Sequence, residues 1–169
     1  LLSHGQDLVG SLTRDGRYSV VYRPHPLTGA DDPRYAAADH AIRRMLETTG
    51  HRVDVTETLE STFSGAAVLI TDVSATVDEW LATGRRVLLT EPTSEATVLE
   101  GAVGASLPCL EARDAGSTAA VVASLMVDPP PLEAIASFHL GDLRAGDATA
   151  SFVGACTELI ASRPPRTGS

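Results

Sequence analysis

Residues 66–76 read Ala66-Ala67-Val68-Leu69-Ile70-Thr71-Asp72-Val73-Ser74-Ala75-Thr76. Successive side chains of a strand point to opposite faces, so five apolar residues in a row suit a strand covered on both sides. The run stops at Thr71-Asp72, and the pattern predicts a helix from about Ser74 to Thr83, closed by Gly84. A buried strand that leads straight into a helix is half of a βαβ unit.

The same grammar extends outward in both directions. Tyr18-Ser-Val-Val-Tyr22 is rich in β-formers and stops at Pro24 and Pro26, as a strand running into a loop does. A helix follows over about Pro33 to Thr49, with Gly50 as its stop. His51 to Val55 is a short strand, and Thr56 caps a helix through Phe63. Val87-Leu-Leu-Thr90 is another strand. Upstream, Leu1, Leu2, Leu8, Val9 and Leu12 share one face of a helix ending near Asp15-Gly16. Residues 91–105 show no clear period, and Ser106 to Leu110 forms the last strand. Helices are expected at about 115–126, 131–138 and 147–162, and a frayed tail at Arg163 to Ser169. The expected architecture is one domain over 1–162, a Rossmann-like α/β fold with a parallel sheet and helices on both faces.

Composition narrows the function classes. A chain of 169 residues that is 43% hydrophobic can bury one sizeable core. Its 22 acidic against 13 basic residues give −9, which disfavours broad nucleic-acid binding. Every basic residue is arginine, so a Walker-type loop with its lysine is excluded. No Gly-x-Gly-x-x-Gly follows a strand and no Gly-x-Ser-x-Gly elbow occurs, which argues against a dinucleotide cofactor and a hydrolase. The five histidines do not pair at metal-ligand spacing, so no metal or cofactor is expected. Cys109 and Cys156 read as two buried thiols in a reducing compartment. No apolar run reaches the ~18–20 residues that span a bilayer. The start at Leu1, without a signal-peptide pattern, suggests a piece of a longer chain.

Ligands of open α/β sheets sit at the carboxyl ends of strands, and two such ends stand out. At Tyr22-Arg23-Pro24-His25-Pro26 two prolines clamp a histidine, reducing the entropy lost when its ring meets a ligand. Arg23 offers a planar fork of donors for phosphate, and His25 a proton or a hydrogen bond. The plainer reading is a loop histidine satisfied by backbone groups. At Thr71-Asp72-Val73-Ser74-Ala75-Thr76 a helix start presents unpaired N–H groups to an anion, with Ser74 or Thr76 adding a hydroxyl. The plainer reading there is ordinary capping, since Thr76-x-x-Glu79 fits a capping box.

Together, in this order and about 45 residues apart, YRPHP at 22–26 and LITD at 69–72 followed by Ser74 resemble the C-terminal half of CDP-glycerol glycerophosphotransferases, the teichoic-acid polymerase and primase type. HLGD at 139–142, with Ala148-Thr149 and a final amphipathic helix, resembles that family's closing segment. The resemblance implies the nucleotide-donor half of a GT-B fold. It implies transfer of glycerol phosphate from CDP-glycerol to a cell-wall polymer at the cytoplasmic face of a bacterial membrane. The acceptor and the membrane contact would be met by parts outside these residues.

By position, His25 matches the catalytic histidine at the donor phosphates, Arg23 supports that loop, and Thr71, Asp72, Ser74 and Thr76 lie at the diphosphate. Where the family reads Thr-Asp-Tyr-Ser-Ser, this chain has Val73 and Ala75. That leaves a nucleotide-sugar donor or a non-catalytic binding module as alternatives. The resemblance also implies a strand ahead of the first helix, lying between the strands that end at Arg23 and at Thr71.

Overall fold

A computed structural model describes residues 1–55, 58–91, 103–141 and 147–162. Its elements alternate. Helix α1 (Gly5–Asp15) precedes strand β1 (Val21–Tyr22), α2 (Pro33–Thr49), β2 (Arg52–Val53) and α3 (Leu59–Ser64). Then come β3 (Val68–Thr71), α4 (Thr76–Leu81), β4 (Arg86–Thr90) and β5 (Cys109–Leu110), followed by α5 (Thr118–Val127), α6 (Leu132–Leu140) and α7 (Asp147–Ala161). Short 3-10 segments occupy Val103–Ser106 and Ala112–Ser117.

Among the described residues the strand pairs are all parallel, in the order β1-β2 and β3-β4-β5, so the expected single sheet is two small ones there. β1 and β3 are not hydrogen-bonded to each other. Register runs Val21 against Arg52, Val68 against Arg86 and Leu89 against Cys109.

Alternation along the strands explains why helices cover both faces of the larger sheet. Val87 and Leu89 point into a core with Trp80 and Leu81 of α4 and Leu132 and Ala136 of α6. Leu88 points the other way, to Leu12 of α1 and Val122 and Leu125 of α5. β3 splits likewise, with Leu69 against the first core and Val68 and Ile70 against the second. Beside β1, Val20 and Tyr22 meet Val9 of α1 and Ile42 and Leu46 of α2. Val20 belongs to this cluster and to the α1–α5 core at once, so its side chain links the two.

Trp80 is fully buried, meets Phe63 edge-on with centroids 5.0 Å apart, and donates its Nε1–H to the Arg86 carbonyl at 2.9 Å. That one side chain fastens α3 and α4 to β4. Gly16 and Gly50 end α1 and α2 in the left-handed conformation at φ 74, as C-terminal glycines do.

Several expectations shift. Helix α4 is six residues rather than ten, because Val77 N–H bonds the Ser74 carbonyl in a turn before it and Thr83 N–H bonds Trp80 O in a turn after it. The first two strands shorten to two residues each. Cys109 is exposed and Cys156 half-buried, so neither thiol is buried as expected. Helix α7 exposes Phe152, Leu159 and Ile160. Thr56, Asp142, the tail from 163 and most of 91–105 lie outside the described residues.

Candidate functional site

At the carboxyl end of β1, Arg23 turns toward the end of β2. Its Nη1 donates to Asp54 Oδ2 at 3.3 Å, to Thr62 Oγ1 at 3.2 Å and to the Thr58 carbonyl at 3.4 Å. Thr62 Oγ1 donates to the same Asp54 oxygen. Asp54 is 2% exposed at its side chain, and a carboxylate that dry needs such partners. The cluster ties β1, β2 and α3 together directly beneath the proline loop.

His25 is exposed, and its ring is held by its own loop. Leu27 N–H donates to Nδ1 at 3.1 Å, and Thr28 N–H donates to the His25 carbonyl at 2.9 Å. A backbone N–H can only donate, so Nδ1 is the acceptor and the proton of the neutral ring sits on Nε2. The imidazole is therefore an oriented hydrogen-bond donor.

A cavity of about 220 Å³ lies beside it, lined also by Thr28, Gly29, Asp31, Asp32 and Tyr35. Gly29 is at φ 83, and a Cβ there would lie 2.6 Å from that of Ala36, so only glycine lets the loop pass this close to α2. Asp32 caps α2 by accepting from Arg34 N–H at 2.8 Å. The Arg34 guanidinium also holds the Asp32 carboxyl below the usual aspartate range. Just behind, burial and the neighbouring Asp39 carboxylate push the Tyr22 phenol up.

The carboxyl end of β3 is built differently. Thr71 and Thr76 are half-buried, while Asp72 and Ser74 are exposed. Thr71 Oγ1 reaches Asp72 Oδ1 only at 3.5 Å. The residue ahead of α4 is Ala75, with no side-chain cap, so Thr76 is the first helical residue and the capping box is not formed. Asp78 and Glu79 occupy the first turn, where carboxylates already answer the positive end of the helix.

The structure thus brings Arg23 and His25 into one loop and gathers Thr71, Asp72, Ser74 and Thr76 in a second. The cavity beside His25 is lined by residues between 25 and 35, and none of the second group lines it. Sequence reasoning missed Asp54 and Thr62. The one available signal was a carboxylate between Val53 and Val55 in a strand. His4, too, is buried, its Nε2 at 3.0 Å from the Leu110 carbonyl. Among the described residues no group of three or more His, Cys, Asp or Glu side chains could hold a metal ion, and no single helix is long and apolar enough to cross a membrane. No family model, curated protein or solved structure matches the chain.

Proposed function

We propose that this domain binds the diphosphate of a nucleotide-activated donor, CDP-glycerol, as the donor half of a glycerophosphotransferase acting at the cytoplasmic membrane face of a bacterium. The observation that carries the reading is the bond from Leu27 N–H to His25 Nδ1, which leaves the proton of the neutral ring on Nε2 of an exposed side chain just past the carboxyl end of a parallel strand. A second support is position. His25 follows β1 just past the carboxyl end of a parallel strand, and open α/β sheets bind ligands at such strand ends.

In the proposed reaction an acceptor hydroxyl attacks the β-phosphorus of CDP-glycerol. A new O–P bond forms, the bond from that phosphorus to the bridging oxygen breaks, and CMP departs. The hydroxyl proton leaves to a base on the acceptor side, outside these residues. His25 Nε2–H donates to the oxygen where charge builds, and Ser74 and Thr76 supply hydroxyls to the phosphates. Arg23 acts through Asp54 and Thr62 as a positioning residue for the loop. One oriented donor of this kind is worth on the order of 3 kcal/mol in a transition state. His25→Ala in the complete enzyme should therefore lower turnover at least ~100-fold at an unchanged Tm.

Calorimetric titration of the chain with CDP-glycerol, CDP and a UDP-sugar tests the reading. Micromolar CDP-glycerol binding, weakened about tenfold or more by His25→Ala, is the expected result. Tighter UDP-sugar binding would reassign the donor. The short α4, with Asp78 and Glu79 in its first turn, favours a second reading as a non-catalytic binding module. Absence of all nucleotide binding would establish that reading instead.

A further inference from the structure

We infer that α7 is a homodimer interface, on which a second copy of this chain lays its own α7 antiparallel, with the twofold axis passing between the two Cys156 side chains. The inference does not depend on the transferase reading.

The helix is bare. Of residues 148–162 only Cys156 is not exposed, and no α7 residue belongs to the cores of the described residues. Phe152 is 70% exposed, Val153 56%, and Leu159 and Ile160 74% each. A 15-residue helix standing alone is marginal in water, and Gly154 weakens it further, so α7 gains most of its stability from whatever covers this face.

The spacing says what covers it. At about 100° per residue, these four side chains and Cys156 fall within an arc of about 120°. They are also symmetric, standing four and three residues before Cys156 and three and four after it. A contact between identical copies needs a patch that complements itself under a twofold axis, and this stripe does so when the two helices run antiparallel. Phe152 then lies across from Leu159 of the second copy, Val153 from Ile160, and Cys156 from Cys156. A partner of different sequence would place no such demand on the stripe.

Charge and size agree. Glu158 is the one charged residue over 148–162 and stands on the opposite side of the helix, so no like charges meet in the seam. The helix carries no cation to attract lipid headgroups. Eight large side chains, each more than half exposed in the single chain, close on the order of 1,000 Å² in the pair, the lower end of specific interfaces.

Sedimentation tests this. The chain should be a monomer at about 1 µM and a dimer at about 100 µM. Leu159→Glu, at an exposed position, should keep its Tm at the lower concentration and stay a monomer at the higher. Oxidation with air and copper-phenanthroline reads the direction. With Cys109→Ser, the two Cys156 thiols should form a disulfide, giving two protons and two electrons to oxygen, because facing Cα atoms on helices about 8–10 Å apart are about 5 Å from each other. With both natural cysteines replaced by serine, Val153→Cys chains should link to Ile160→Cys chains and neither kind to itself, since like positions are offset by about 9–12 Å along the axis. A monomer at 100 µM, a dimer that survives Leu159→Glu, or Val153→Cys chains that link to themselves would each overturn the inference. So would binding of the monomer to phosphatidylcholine vesicles that Leu159→Glu abolishes, which would give the face to a lipid surface.

Discussion

Asp54 and Asp72 each sit at the carboxyl end of a parallel strand, and they could hardly be held more differently. Asp54 is dry, gripped by Arg23 and Thr62, and fixes the ends of β1 and β2 to α3. Asp72 stands in solvent with one long contact to its neighbour. The end of β1 therefore presents an oriented histidine above a rigid base whose polar atoms are already committed. The end of β3 presents hydroxyls that any ligand would have to order. Pre-organisation lowers the entropy lost on binding, so the first loop is the better anchor for a ligand and the second the better place for adjustment.

The sharpest way to break that contrast is to remove each aspartate. Asp54→Ala leaves Arg23 without its carboxylate and should cost about 3–5 kcal/mol. Asp72→Ala should stay within about 0.5 kcal/mol. Urea unfolding measures both. Similar losses at the two positions would mean that the Arg23 cluster holds nothing together.

The order of elements was legible because it depends on local periods and stops. The second part of the apolar run, Val68 to Ile70, sits in β3, Pro33 and Gly50 bound α2, and Gly16 ends α1. What lay beyond reach depends on partners far along the chain. Arg23 reads as a phosphate fork until Asp54, 31 residues on, is seen to accept from it. His4 reads as a helix residue until it meets the carbonyl of Leu110. Sheet pairing was illegible for the same reason, since periodicity marks a buried strand but not its neighbour. At α4 the capping box failed because the turn at Ser74 moved Thr76 from the cap into the first helical position.

A second contrast is measured at high pH. Tyr22 has its phenol pushed above the usual 10.0 by burial and by Asp39. A group whose folded pKa is raised binds its proton more tightly in the folded state. Its contribution is complete below about pH 10 and is lost as pH rises toward the folded value. Thermal unfolding between about pH 9 and pH 11 should thus show a steep fall in Tm for the natural chain and a shallower one for Tyr22→Phe. Identical slopes would mean that the phenol is not held against Asp39 in solution.

The smallest expected effect bears on the loop after β3. Asp78 and Glu79 favour α4 through the helix dipole but repel any phosphate brought to its start. Replacing both, Asp78→Asn with Glu79→Gln, should lower stability by about 0.3–1 kcal/mol. At about 8 Å in water each carboxylate opposes a unit anion by about 0.5 kcal/mol, so the pair should weaken nucleotide binding about fivefold. The double variant should then bind CDP about fivefold more tightly while melting slightly earlier, and added salt should shrink the gain. An unchanged affinity would show that the phosphates never approach α4 and that the His25 loop holds the donor alone.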